Sequence, residues 1–218
     1  LLLDALLLKA RHDLGLPLIH IGALTDLAEP VRSLYENRYV EAIRLVGSKF
    51  LETGDIISAW PYYRAIGESE PVALAINAYR PSDSVDERLG QVIEVAFNQG
   101  ANPRRGWELI LTHYGTCSAI SSLEQIPPHD QKARASCAET LVRHMHEQLT
   151  TTLRAEIAAR GETPPPEGTS IESLCEAHPW LFLDEGYHID ISHLSATVRT
   201  AAGLTNPEAV ALAADLCA

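Results

Sequence analysis

A chain of 218 residues, 46% hydrophobic and 21% charged, is long enough to bury a core and has the make-up of an ordinary folded protein. Its net charge of −12 excludes a general nucleic-acid binder, which needs a basic face to neutralise phosphates, and equally an anionic membrane surface as partner. Aromatics are only 6%, and Ala and Leu dominate the apolar set, which favours helix over sheet.

The opening LLLDALLLKARHDLG has a helical stripe of Leu3, Leu6, Leu7 and Ala10 that stops at Gly15. Asp4 interrupts its apolar run and no basic segment precedes it, so it reads as a helix of the folded domain rather than a targeting signal. Pro17 is placed to open a second short helix and Pro30 a third. Asn37 then reads as the N-cap of a further helix carrying Tyr39, Ile43, Val46, Phe50 and Leu51, which Gly54-Asp55 ends. Residues 56 to 66 form its return partner. Leu89, Val92, Ile93, Ala96 and Phe97 make the next stripe, ended by Gly100. Asn102-Pro103 opens a helix with Trp107, Ile110, Leu111 and Tyr114, which Gly115 is expected to stop.

Residues 115 to 130, rich in Ser, Thr and Pro, read as a connection with at most one helical turn. From 130 to 160 runs the longest segment, with Cys137, Leu141, Met145, Leu149, Leu153 and Ile157 spaced by four over about 45 Å. GETPPPEG is the clearest linker. Beyond it, Thr169 and Glu172 have capping-box spacing, and a last helix pair runs over 191–202 and from Pro207 onward. The expected organisation is a helical domain over 1–160, a Pro-rich linker over 161–169, and C-terminal helices over 170–218 docked on the first part. The chain starts without Met and stops at DLCA inside a helical pattern, which reads as a fragment of a longer protein.

Pairs of antiparallel helices bury their apolar faces by stacking on the next pair, and a fixed residue pattern marks such a unit. Residues 40–73 carry one: Ile43, Gly47, Phe50, Ala59, Tyr63 and a closing Pro71. This pattern resembles a tetratricopeptide repeat, over about the 34 residues that such a repeat occupies. The resemblance implies small residues at Gly47 and Ala59 where two helices approach closely, and aromatic packing by Phe50 and Tyr63. Pro61 departs from it and should kink the second helix unless that helix starts late. In the next pair, Phe97 and Gly106 match Phe50 and Ala59 in register. The fold expected is all-α, an irregular solenoid of antiparallel helix pairs.

By the same resemblance, the inner face of the first helix lines a peptide groove, here Glu41, Arg44, Ser48, Leu51 and Glu52. Ser48 and the two acids do not reproduce a clamp for a terminal carboxylate. The function expected is a non-catalytic module that binds a protein or peptide partner, without cofactor, nucleic acid or membrane. The four cysteines show no tight pairing and read as thiols of a cytoplasmic protein. The alternative is a helical metal-dependent enzyme. GYHIDISHLS offers His188, Asp190 and His193, and imidazole with carboxylate suits zinc, iron or nickel. Against that stands the simpler account in which Asp190 or Ser192 caps a helix and the histidines pack or face solvent.

Overall fold

The computed structural model describes residues 1–19, 24–82, 85–127, 130–182 and 188–217, with the backbone alone at Leu24 and Phe182. Among the described residues the protein is all-helical, with no strand. The helices are α1 (Leu2–Asp13), α2 (Val31–Glu52), α3 (Ile56–Ala65), α4 (Glu70–Ala78), α5 (Glu87–Ile93), α6 (Pro103–Gln125), α7 (Gln131–Ala159), α8 (Ile171–Ala177), α9 (Ile191–Ala201) and α10 (Pro207–Asp215). Two compact units, Leu1–Gly106 and Trp107–Ala218, divide within the first turn of α6.

In the first unit α1 packs on α2, α2 on α3, and α3 on both α4 and α5. The two helices read from Pro30 and Asn37 are one. Pro30 is the N-cap of α2, and Asn37 is an exposed residue inside it. The earlier turns stay helical because Tyr35 is buried, with the Arg11 guanidinium 5.4 Å above its ring. After Pro17, Leu18 and Ile19 are not helical, and a single 3-10 turn spans Leu24–Asp26; the residues between lie outside the described ones. Pro71 does not simply end the α2–α3 pair: it lies in the first turn of α4, where a missing N–H costs nothing, and α4 buries Val72 and Ile76. Pro61 sits in the interior of α3, which continues through it.

The α2–α3 contact is close because Gly47 lacks a side chain. A Cβ there would lie 2.8 Å from Cε2 of Tyr63, a ring only 5% exposed, and Ala59 across the same pair is fully buried. In Gly47→Ala an overpacking cost of about 1 kcal/mol, the lower end because a ring edge can yield a few tenths of an ångström, should cancel the gain of up to about 1 kcal/mol that alanine brings to a helix, leaving the urea midpoint near that of the parent chain. A midpoint raised by the full helix gain would show that the helices do not meet here.

After α5 the chain passes through a π-helical turn, Glu94–Asn98, and leaves it at Gly100, whose φ of 78° few other residues adopt. Side chains fasten this corner to its neighbours. Trp60 Nε1 donates to Gln99 Oε1 at 2.7 Å, and Asn102 Nδ2 donates to Asn77 Oδ1 at 2.9 Å. Asn102 Oδ1 also accepts from the Arg105 N–H at 3.2 Å, capping α6.

In the second unit the stretch read as a connection is helical. Gly115, with φ 81° and ψ 174°, breaks α6 into two halves, and helix resumes at once through Gln125. Trp107 Nε1 donates to the Ala119 carbonyl at 2.8 Å. A straight helix would set those residues about 18 Å apart along its axis, so the chain turns back at Gly115. Ser and Thr weigh against helix in a sequence, but Ser118, Ser121 and Ser122 satisfy their hydroxyls on carbonyls four residues back. Ala119, Leu123 and Ile126 supply the buried face.

On α7 all six residues of the four-spaced stripe, Cys137 to Ile157, are buried. Helices α9 and α10 pack on α7 and on each other. The Pro run lies within this unit, where Arg154 donates to the carbonyls of Pro165 and Pro166. Arg160 lies 3.9 Å over the ring of Trp180. The cap of α8 is Ser170, whose hydroxyl accepts from the Ser173 N–H at 3.2 Å, one residue beyond the Thr169 expected.

Candidate functional site

A broad concavity lies in the second unit. It is an open groove of about 780 Å³ between the second half of α6, the first two turns of α7 and the C-terminal end of α9. Its apolar surface comes from Ile120, Leu123 and Leu204, and small residues at Ala135, Ala138, Ala196 and Gly203 keep its floor low. Two arginines reach it. Arg134 is half-buried and donates through Nη1 to the Ile126 carbonyl at 2.8 Å, which fixes its guanidinium. The Arg199 side chain is exposed, with no ion-pair or hydrogen-bond partner among the described residues. Among the described residues Glu124 is the single carboxylate lining the groove, and it pairs with neither arginine.

The residues read as a peptide groove on α2 do share a face, but their polar groups are engaged locally. Glu41 accepts from Arg38 at 3.1 Å and Glu52 from Lys49 at 2.7 Å. Ser48 Oγ donates to the Leu45 carbonyl at 2.9 Å, and Leu51 is packed against the core of its unit. Arg44 Nε donates to both carboxylate oxygens of Glu68, at 3.0 and 2.9 Å, tying α2 to the turn after α3. That pair holds the Glu68 carboxyl below its ordinary range.

The metal alternative distributes differently again. Gly186 and Tyr187 of the motif lie outside the described residues. Asp190 is the N-cap of α9: it accepts from the Ser192 hydroxyl and N–H and from the His193 N–H, and these donors lower its pKa. His188 Nδ1 lies 3.0 Å from Glu156 Oε1 and its Nε2 lies 2.7 Å from the Leu181 carbonyl oxygen. A metal-binding imidazole keeps one bare nitrogen aimed at the ion, whereas both nitrogens of His188 face oxygen acceptors. Among the described residues no three His, Cys, Asp or Glu side chains are arranged to hold a metal ion.

No known protein family matches the chain, and no curated protein or solved structure is significantly similar to it.

One further polar cluster joins three helices of the second unit. His146 Nε2 on α7 lies 2.7 Å from Asp215 Oδ2 on α10, and that carboxylate also accepts from the Ile171 N–H at the start of α8, at 3.0 Å. Cys175 lies near it, so a thiol, an imidazole and a carboxylate share one neighbourhood. Burial first, and the Asp215 charge second, push the thiol pKa up. Through Asp215 these contacts tie α7, the start of α8 and α10 together.

The groove was not foreseen in the sequence. Its residues come from two neighbouring segments, 120–124 and 131–138, and a third more than 50 residues on, 196–204, and none forms a motif.

Proposed function

We propose that the protein is a non-catalytic helical module that binds a peptide segment of a protein partner, and that the groove of the second unit is where it binds. The observation that carries this reading is the groove itself. It is open and about 780 Å³ in volume, and its lining mixes apolar and small residues with two arginines, a glutamate, Gln131 and Thr200. Pockets for polypeptide or small ligands have this constitution, apolar surface with a few placed polar groups. What supports the tetratricopeptide-like reading in the first unit is the packing of α1 on α2, α2 on α3 and α3 on α4, with the close approach at Gly47. On that reading the α2 face with Arg44 and Ser48 is a secondary contact surface. The four thiols suit a reducing, cytoplasmic setting. Among the described residues no helix is long and apolar enough to cross a membrane.

Gly203→Trp is the variant that tests the groove. A Cβ at Gly203 meets nothing within 4 Å, so the indole should enter the groove without disturbing the fold. Peptides selected from a displayed random library against the parent chain should lose at least tenfold in affinity for the variant, about 1.4 kcal/mol. Selected peptides that bind parent and variant alike would place the site elsewhere, and a library that yields no binder would remove peptide binding as the function.

A further inference from the structure

We propose, on the reading that the groove takes a peptide, that its occupant is an amphipathic helix of a partner protein whose acidic side chains meet Arg134 and Arg199. Charge is the first ground. The chain carries 29 acidic and 17 basic residues, yet the groove presents two arginines to one glutamate. A chain that is acidic overall repels an acidic ligand in general, and the groove reverses that sign locally.

The two arginines differ in how ready they are. The bond to the Ile126 carbonyl occupies one corner of the Arg134 guanidinium and orients the remaining donors. Arg199 has all its donors open among the described residues, and it stands on α9 opposite α7. A carboxylate accepts a bidentate pair from such a fork, which a lone hydroxyl or amide does not match. A helical peptide with acids on both flanks of an apolar stripe would address both arginines at once.

The walls argue for a helix rather than an extended strand. All three are helical segments, so no sheet edge is offered for an extended chain to pair with. The small residues on α7 and α9 let a fourth helix settle at the 8–10 Å interaxial distance of packed helices. Ile120, Leu123 and Leu204 then receive its apolar stripe. Exposed ion pairs add little energy, so the arginines should set preference among helices more than affinity.

The test uses the full chain and two fluorescein-labelled helical peptides that share one leucine stripe at spacings of three and four. One carries Glu on both flanks of the stripe and the other Lys, and binding is read by anisotropy at low salt. The Glu peptide should bind at least tenfold more tightly than the Lys peptide, and the difference should shrink at about 0.5 M salt. Arg199→Glu should remove most of the preference, and Arg134→Gln with Arg199→Glu all of it, with helical circular dichroism unchanged. Equal affinity for the two peptides, both lost in Gly203→Trp, would overturn the acidic preference while leaving the groove as a peptide site. No binding of either peptide up to about 1 mM would overturn the helical acidic occupant, and the library selection then decides the groove separately.

Discussion

Trp107→Ala should lower the stability of the second unit by about 3–5 kcal/mol, the range for truncating a large buried aromatic. Trp107 is fully buried, and its indole N–H reaches the Ala119 carbonyl across the reversal at Gly115. Two losses combine in the variant: an apolar volume that neighbouring helices cannot collapse to fill, and the indole bond between the two halves of α6. Trp107→Phe separates them, since it keeps most of the apolar volume and removes the donor. Its cost should be nearer 1–2 kcal/mol. Urea denaturation followed by far-ultraviolet circular dichroism measures both, and amide hydrogen exchange in residues 116–125 locates the change. Exchange there equal to that of the parent chain would mean that the indole does not hold the reversal.

The second large effect is expected at Gly106, through crowding rather than loss. A Cβ at this position would lie 2.7 Å from the Phe97 backbone nitrogen, 2.8 Å from Phe97 Cβ and 2.9 Å from Ala96 Cβ. Alanine in a helix is worth up to about 1 kcal/mol over glycine, which alone would make Gly106→Ala stabilising. The clash opposes this and wins. The nearest atom belongs to the main chain of the π-helical turn, which cannot swing aside as a side-chain tip does. A net loss of about 2 kcal/mol is expected, within the range for overpacked sites. Gly47 makes the comparison sharp, because its clash is with the Tyr63 ring edge and should cost less. An unchanged or raised midpoint for Gly106→Ala would show that α6 does not approach Phe97 so closely.

Several of these features were legible in residue order. The four-spaced stripe of α7 is a statement about one face of one helix, and periodicity reads such faces directly. Asn206 is likewise a local signal, and it caps α10 by accepting from the Glu208 and Ala209 N–H groups. Glycine at the ends of α1 and α3 and after α5 marks the φ > 0 positions that close those segments. Gly115 was legible as a break but not as a hinge. The same φ of 81° would serve to end a helix or to reverse it, and the choice between the two depends on whether Trp107 finds Ala119.

The charged face of α2 shows the opposite limit. From the sequence, Glu41, Arg44, Ser48, Leu51 and Glu52 are a row on a helix, with no indication of what each meets. Arg38 and Lys49 lie within three residues of their acids and could be paired from spacing alone. Glu68, 24 residues from Arg44, could not.

Residue order alone was enough for the helical character of the chain, several helix limits and the buried stripe of α7, because these follow from local propensity, capping and periodicity within a few turns. Tertiary structure alone decided that Pro30 and Asn37 belong to one helix, that residues 116 to 125 fold back as helix, and that Arg134 and Arg199 share a groove. Each of these rests on contacts between segments far apart in the chain, such as Arg11 over Tyr35 or α9 against α7. No local pattern encodes them, since the energy that selects them comes from burial between helices rather than within one.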